Sequence, residues 1–143
     1  MAGYLIDTNV LSELMRAAPA PEVMAWFASR AGNVIQTSTI TQAEILAGIA
    51  MLPAGKRRDG LALAAEQLFN RDLSGRCLGF GSAAAVHYAL VRAQRQQVGR
   101  PISTEDAQIA AIALAADLVL VTRNTKDFEA IDGLAVDNPW HAH

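Results

Sequence analysis

The chain has 143 residues and a single cysteine, Cys77, so it has room for one domain with its own core and excludes an internal disulfide framework. Hydrophobic residues make up 52% and charged residues 18%, which excludes a disordered chain. A net charge of −2 excludes the global basicity of a duplex-DNA binder, so a nucleic-acid enzyme of this composition must rely on local cations.

Taken in chain order, Gly3 to Asp7 reads as a short buried strand. It has neither the basic region nor the apolar length of a secretion signal or membrane anchor. A reducing cytoplasm is the expected setting. Thr8 to Arg16 reads as a helix, with Val10, Leu11, Leu14 and Met15 at helical spacing. Glu22 to Ala31 follows as a second helix, ended by Gly32. Asn33 to Thr37 is a strand, and Ser38 to Leu52 is a helix with hydroxyl caps.

After the break at Pro53 and Gly55, Lys56 to Leu73 reads as a long helix. Arg76 to Phe80 is a short strand, and Ser82 to Gln97 is a helix ended by Gly99 and Pro101. Ser103 or Thr104 caps a helix running to about Ala116. Leu118 to Thr122 is a continuous apolar run of the kind found in central parallel strands. Asp127 to Ile131 is a short helix and Leu134 to Val136 a last edge strand. Alternating strands and helices predict an α/β fold: one domain over residues 1–143, with a parallel sheet of about five strands and right-handed crossovers.

The carboxylates carry the chemistry. Asp7 closes the apolar run Tyr4-Leu5-Ile6. Glu44 is the one charged residue between Thr39 and Leu52, on a surface that ought to be buried. Asp106 opens a segment, Ala107 to Ala116, that is apolar except for Gln108. Such isolated charges are costly unless paired. A shared hard cation, Mg²⁺ or Mn²⁺, would pair with all three. In an open parallel sheet, ligands bind beyond the carboxyl ends of the strands, and these acids are expected at that edge. Grouped carboxylates and a divalent ion point to phosphodiester hydrolysis. Asp127 is a fourth candidate acid. Arg123 suits a phosphate, and Asn124 suits the attacking water.

Each residue also has a plainer reading. Asp7 suits an N-cap, Asp106 the acid of a capping box begun by Ser103, and Asp127 a helix start. Lys56, Arg57 and Arg58 read as a solvated helix end, and His87 as a packing or surface residue. Trp26 and Trp140 read as core. His141 and His143 look like a C-terminal metal pair, although terminal residues are usually mobile.

Four segments in order resemble the PIN-domain family, most closely VapC and FitB-like toxins of type II toxin–antitoxin systems. They are Leu5 to Glu13; Thr41-Gln42-Ala43-Glu44-Ile45 with Gly48; Asp106 with Ile109-Ala110-Ala111; and Val121-Thr122-Arg123-Asn124 with Asp127-Phe128. The ending Asn138-Pro139-Trp140-His141 resembles the FitB-like branch. The resemblance implies a PIN-like sheet with helices on both faces and a Mg²⁺- or Mn²⁺-dependent endoribonuclease. It implies a homodimer and a cognate antitoxin that inserts a segment into the active site and carries any contact with operator DNA. By position, Asp7, Glu44 and Asp106 match the family's metal-binding acids. Asn124 and Asp127 complete the catalytic set, and Asn9, Thr122 and Arg123 are expected to bind substrate. Some relatives carry an acid at the Asn124 position, and the amide here weighs against a tightly held second ion. A haloacid dehalogenase-type phosphatase would need an acid where Asn9 stands. The remaining alternative is a non-catalytic, metal-binding partner of an antitoxin that acts in operator binding.

Overall fold

The computed structural model describes residues 3–141. Strand β1 (Gly3–Ile6) leads into helices α1 (Thr8–Leu14) and α2 (Pro21–Ala28). Strand β2 (Val34–Ser38) leads into α3 (Thr39–Ala50) and α4 (Lys56–Gln67). Strand β3 (Cys77–Leu78) leads into α5 (Ser82–Gln97) and α6 (Thr104–Ala115). Strand β4 (Val119–Val121) is joined to β5 (Val136–Asp137) through a 3₁₀ turn, Thr125–Phe128. All strands are parallel, in the order β3-β2-β1-β4-β5. The alternation of strand and helix in the sequence thus produces the expected α/β sheet.

Side chains alternate across a strand, so each strand feeds two cores. Leu5 and Leu120 are register partners on one face, where they join Val91 of α5 and Ile109, Ala110 and Ala113 of α6. Ile6 and Val121 point to the other face, among Val10, Leu11, Trp26, Ile45 and Phe69. Burial on both faces explains why these strands read as unbroken apolar runs. The chain builds β1, β2 and β3 toward one edge and then crosses back to place β4 on the other side of β1. Strand order therefore reverses between β1 and β4, where a parallel sheet opens a crevice at its carboxyl ends.

Several boundaries depart from the sequence reading. The helix expected from Lys56 to Leu73 ends at Gln67 and widens into a π turn, Leu68–Asp72, closed by the Leu73 amide on the Leu68 carbonyl at 2.7 Å. The helix expected over Asp127 to Ile131 is replaced by the 3₁₀ turn, because the carbonyls of Asp127 and Glu129 accept from Arg95 at 2.7 and 3.1 Å instead of continuing a helix. The edge strand begins two residues and ends one residue later than expected, its register set by Leu120 against Val136 and Val121 against Asp137.

Candidate active site

Asp7 stands at the switch point. Its amide extends the β1–β4 pairing by donating to the Val121 carbonyl at 2.9 Å. The residue is 4% exposed. Its Oδ1 accepts from the Thr8 amide at 2.8 Å and caps α1. Its Oδ2 accepts from Thr122 Oγ1 at 2.7 Å and from Asn9 Nδ2 at 3.1 Å. Cap and candidate ligand are thus the same carboxylate. Burial pushes it above the ordinary value of 3.8, the hydrogen bonds from Thr122, Thr8 and Asn9 oppose the rise, and Asp127 adds to it.

Asn9 ties β1 to the loop after β4. Its Nδ2 lies 3.3 Å from Thr122 Oγ1, and its Oδ1 accepts from the Arg123 amide at 2.9 Å. The Thr122 hydroxyl also accepts from the Asn124 amide at 3.1 Å. This corrects one expectation: Thr122 is fully buried, so it positions Asp7 and the Asn124 amide and cannot touch a substrate. Asn9 is half-buried and uses both ends of its amide to tie Asp7 to the Arg123-Asn124 loop.

Glu44 lies in the second turn of α3, which Ser38 caps by accepting from the Thr41 amide at 3.0 Å. Thr8 Oγ1 donates to Glu44 Oε1 at 2.7 Å, and Thr41 Oγ1 lies 3.1 Å from the same hydroxyl. Glu44 is exposed, contrary to expectation, because α3 turns Thr41, Ile45 and Ile49 to the core and leaves the intervening residues outside.

Asp106 occupies the first turn of α6, where Ser103 Oγ accepts from its amide at 3.1 Å. Its carboxyl is pushed up to about 6, by burial first and then by repulsion from Asp7, Asp127 and Glu44, against a hydrogen bond with Ser103. Three separate segments therefore bring their acids within electrostatic reach of Asp106. Among the described residues, none of these four carboxylates forms a salt bridge.

Asp127 sits exposed on the 3₁₀ turn, and that turn is held from below by a residue the sequence reading missed. Arg95 is 4% exposed. Its Nε donates to the Arg100 carbonyl at 2.7 Å, and its Nη1 donates to the carbonyls of Asp127 and Glu129. The signal was present: Ala84, Tyr88, Val91 and Arg95 follow helical spacing, so the cation falls on the apolar stripe of α5.

The remaining candidates separate. Arg123 and Asn124 are exposed on the loop after β4, and the Arg123 guanidinium lies 4.5 Å from the centre of the half-buried Trp140 ring. Trp26 is core, with its Nε1 donating to Asp137 at 3.0 Å. Lys56 and Arg57 are exposed at the start of α4. His87 lines a different groove with Gln94 and Asp132. The His141 amide donates to the Asn138 carbonyl, and His143 lies outside the described residues.

The donor set is all oxygen, which suits a hard divalent cation. Among the described residues, no three His, Cys, Asp or Glu side chains close into a ready-made metal cage. Asp7, Glu44 and Asp106 are the residues that would hold such a cation.

Residues 4–134 match the family model described as PIN domain. The plasmid stability protein StbB of Pseudomonas syringae is 43% identical, over 96% of this chain and 99% of its own. VapC ribonuclease Y4jK of Sinorhizobium fredii is 40% identical over 95% of this chain and 96% of its own. Toxin FitB of Neisseria gonorrhoeae is 39% identical over 96% and 98%. A solved structure of FitAB bound to an IR36 DNA fragment superposes with a TM-score of 0.87 at 37% identity, covering 98% of this chain and 97% of that one. With the sheet order, the switch-point aspartate and these matches together, the chain belongs to the PIN domain family.

Proposed function

We propose that this protein is a metal-dependent endoribonuclease, the toxin half of a type II toxin–antitoxin pair. The observation that carries the reading is the convergence of Asp7, Glu44, Asp106 and Asp127, where burial first and then the charges of the other three acids raise Asp106 to about 6, while none of the four is paired with a cationic side chain among the described residues. Relatives named as a VapC ribonuclease and as a tRNA(fMet)-specific endonuclease support the same class of chemistry, and one named as toxin FitB supports the toxin role. RNA as substrate and the single cysteine suit a cytoplasmic site of action. No helix among the described residues is long and apolar enough to cross a membrane.

A Mg²⁺ or Mn²⁺ ion at the cluster would neutralise phosphate charge and lower the pKa of a water. The chain's own residues supply the rest. Asp7 is fixed by three donors, so its position does not depend on the substrate. Glu44 is aimed by Thr8. Asp106 is the group most in need of a cation, and it is ionised above about pH 6. Asp127 and Asn124 flank the crevice on the loop after β4, where they would orient the attacking water. Arg123 would take a phosphate oxygen.

Antitoxin control has a physical seat. A groove of about 690 Å³ runs between α1, α3 and α4, and Thr8 and Glu44 line it together with Met15, Ile45 and Ile49. Leu46, Met51 and Leu63 stand exposed on or beside the same helices. An apolar antitoxin segment in that groove would end against Glu44 and block the crevice. Exposed Val86 and Leu90 on α5 offer apolar surface for a homodimer.

The test is cleavage of a mixed RNA pool by antitoxin-free protein with Mg²⁺, with Mn²⁺ and with chelator, beside Asp7→Asn. Metal-dependent cuts that vanish in the variant are expected. Equal cutting by the folded variant would overturn the assignment.

A further inference from the structure

Beyond Asp127 the surface changes sign. A groove of about 430 Å³ is lined by Arg123, Asn124, Thr125, Lys126, Asp127 and His141, with Asn138 at its wall. Neither Arg123 nor Lys126 forms a salt bridge among the described residues. Both are exposed, yet neither sits on a loose loop. The Arg123 amide is held by Asn9, and its guanidinium rests on Trp140. Trp140 packs against the core and donates its amide to Asn138 Oδ1 at 2.9 Å. The Lys126 carbonyl accepts from Arg100 at 3.2 Å.

We propose that this groove is a second nucleotide subsite, in which Arg123 and Lys126 bind the phosphate next to the scissile one in single-stranded RNA. The proposal rests on the nuclease reading above. A single strand carries a charge at every nucleotide, so a strand with one phosphate at the acids must set down its neighbour one nucleotide away. The acids repel that neighbour, whereas the groove sharing Asp127 with them offers two cations and the exposed amide of Asn124. A guanidinium fixed on an indole keeps its planar fork ready for phosphate oxygens at reduced entropic cost. The face of the guanidinium turned away from the indole would accept an unstacked base, which is how single strands are held without sequence readout. An acidic segment of a protein partner would meet the cations but gain nothing from the adjoining cation-binding acids.

The test is fluorescence anisotropy of a labelled, mixed-sequence single-stranded oligoribonucleotide, titrated with Asp7→Asn protein so that the RNA stays intact. Lys126→Ala and Arg123→Ala, each added to that background, are expected to raise Kd about fivefold. Each should also flatten the slope of log Kd against log salt by about 0.7, the value for one single-strand phosphate contact. Lys126→Arg should retain affinity. Unchanged Kd and slope in both alanine variants would overturn the proposal, as would loss of affinity for a polyglutamate peptide with none for RNA. Absence of cleavage by the wild-type protein, with cation-dependent binding intact, would instead count against the nuclease reading and leave the groove's affinity for single strands standing.

Discussion

Thr122 and Asp7 are 115 residues apart in the chain and are joined by a 2.7 Å hydrogen bond that is fully buried. Their strands are neighbours, so the sheet brings a hydroxyl from the end of β4 onto the carboxylate at the end of β1. The bond aims Asp7 Oδ2 without contacting anything outside the protein. Thr122→Val keeps the shape, removes the donor and leaves the Asn124 amide without its acceptor. Losing such a support for a metal ligand typically costs about 10- to 100-fold in metal affinity or activity. A Mg²⁺ titration of cleavage should show that loss, and Thr122→Ser should restore most of it. A variant with wild-type metal dependence would remove Thr122 from the site.

The acids set a pH dependence whose sign follows from their shifts. Asp106 is raised from 3.8 to about 6 and Asp7 is raised as well, so the folded protein binds their protons more tightly than the unfolded chain does. Their contribution favours the fold below about pH 4 and is lost as pH rises through about 6. Without metal, these groups therefore destabilise the protein at pH 8. A divalent cation needs them ionised and relieves the repulsion. Thermal melts should show Mg²⁺ raising Tm by several degrees at pH 8 and by little at pH 5. Asp106→Asn should raise the metal-free Tm at pH 8 and shrink the Mg²⁺ increment. Equal increments at both pH values would contradict the shared site.

What the sequence showed and concealed divides along physical lines. Leu5-Ile6 and Leu120-Val121 were legible as buried strands because both faces of the sheet are covered, which forces an unbroken apolar run. Asp7, Glu44 and Asp106 were legible because each interrupts such a run. The roles of Thr122 and Asn9 were not, because a polar side chain turned into the protein and one turned toward a ligand have the same letter. Glu44 was misplaced on a buried face because it is the one charged residue between Thr39 and Leu52, in a stretch dominated by apolar and small residues. In the structure that apolar surplus is exposed, at Leu46 and Met51, where a partner would cover it.

Arg95 carries a stability prediction. Its guanidinium is buried, and its donors go to three main-chain carbonyls rather than to an acid. Arg95→Met would fill the stem's volume and strip those carbonyls of their partner. Hydrogen bonds to charged groups are worth about 1.5 to 3 kcal/mol each, with imperfect additivity, so a loss of about 3 kcal/mol is expected in urea unfolding. Lysine cannot reproduce the fork, and Arg95→Lys should recover only part of it. Because the same bonds set the turn that bears Asp127, cleavage should fall further than the folded fraction does. A loss of activity that tracks unfolding alone would limit Arg95 to the scaffold.

Asn124 offers the converse experiment. Its amide is anchored to Thr122 Oγ1, which also donates to Asp7, and its side chain is exposed beside the crevice. Asn124→Asp adds a fifth carboxylate to a cluster in which Asp106 already feels three others. In the metal-free protein at pH 8 the added repulsion should lower Tm by a few degrees. With Mg²⁺ or Mn²⁺ the order should reverse, because another oxygen ligand of full charge strengthens a hard-cation site. Calorimetric titration should then show tighter binding, or a second ion where the wild-type protein takes one. A variant less stable without metal and no tighter with it would place Asn124 outside the coordination sphere and leave orientation of water as its role.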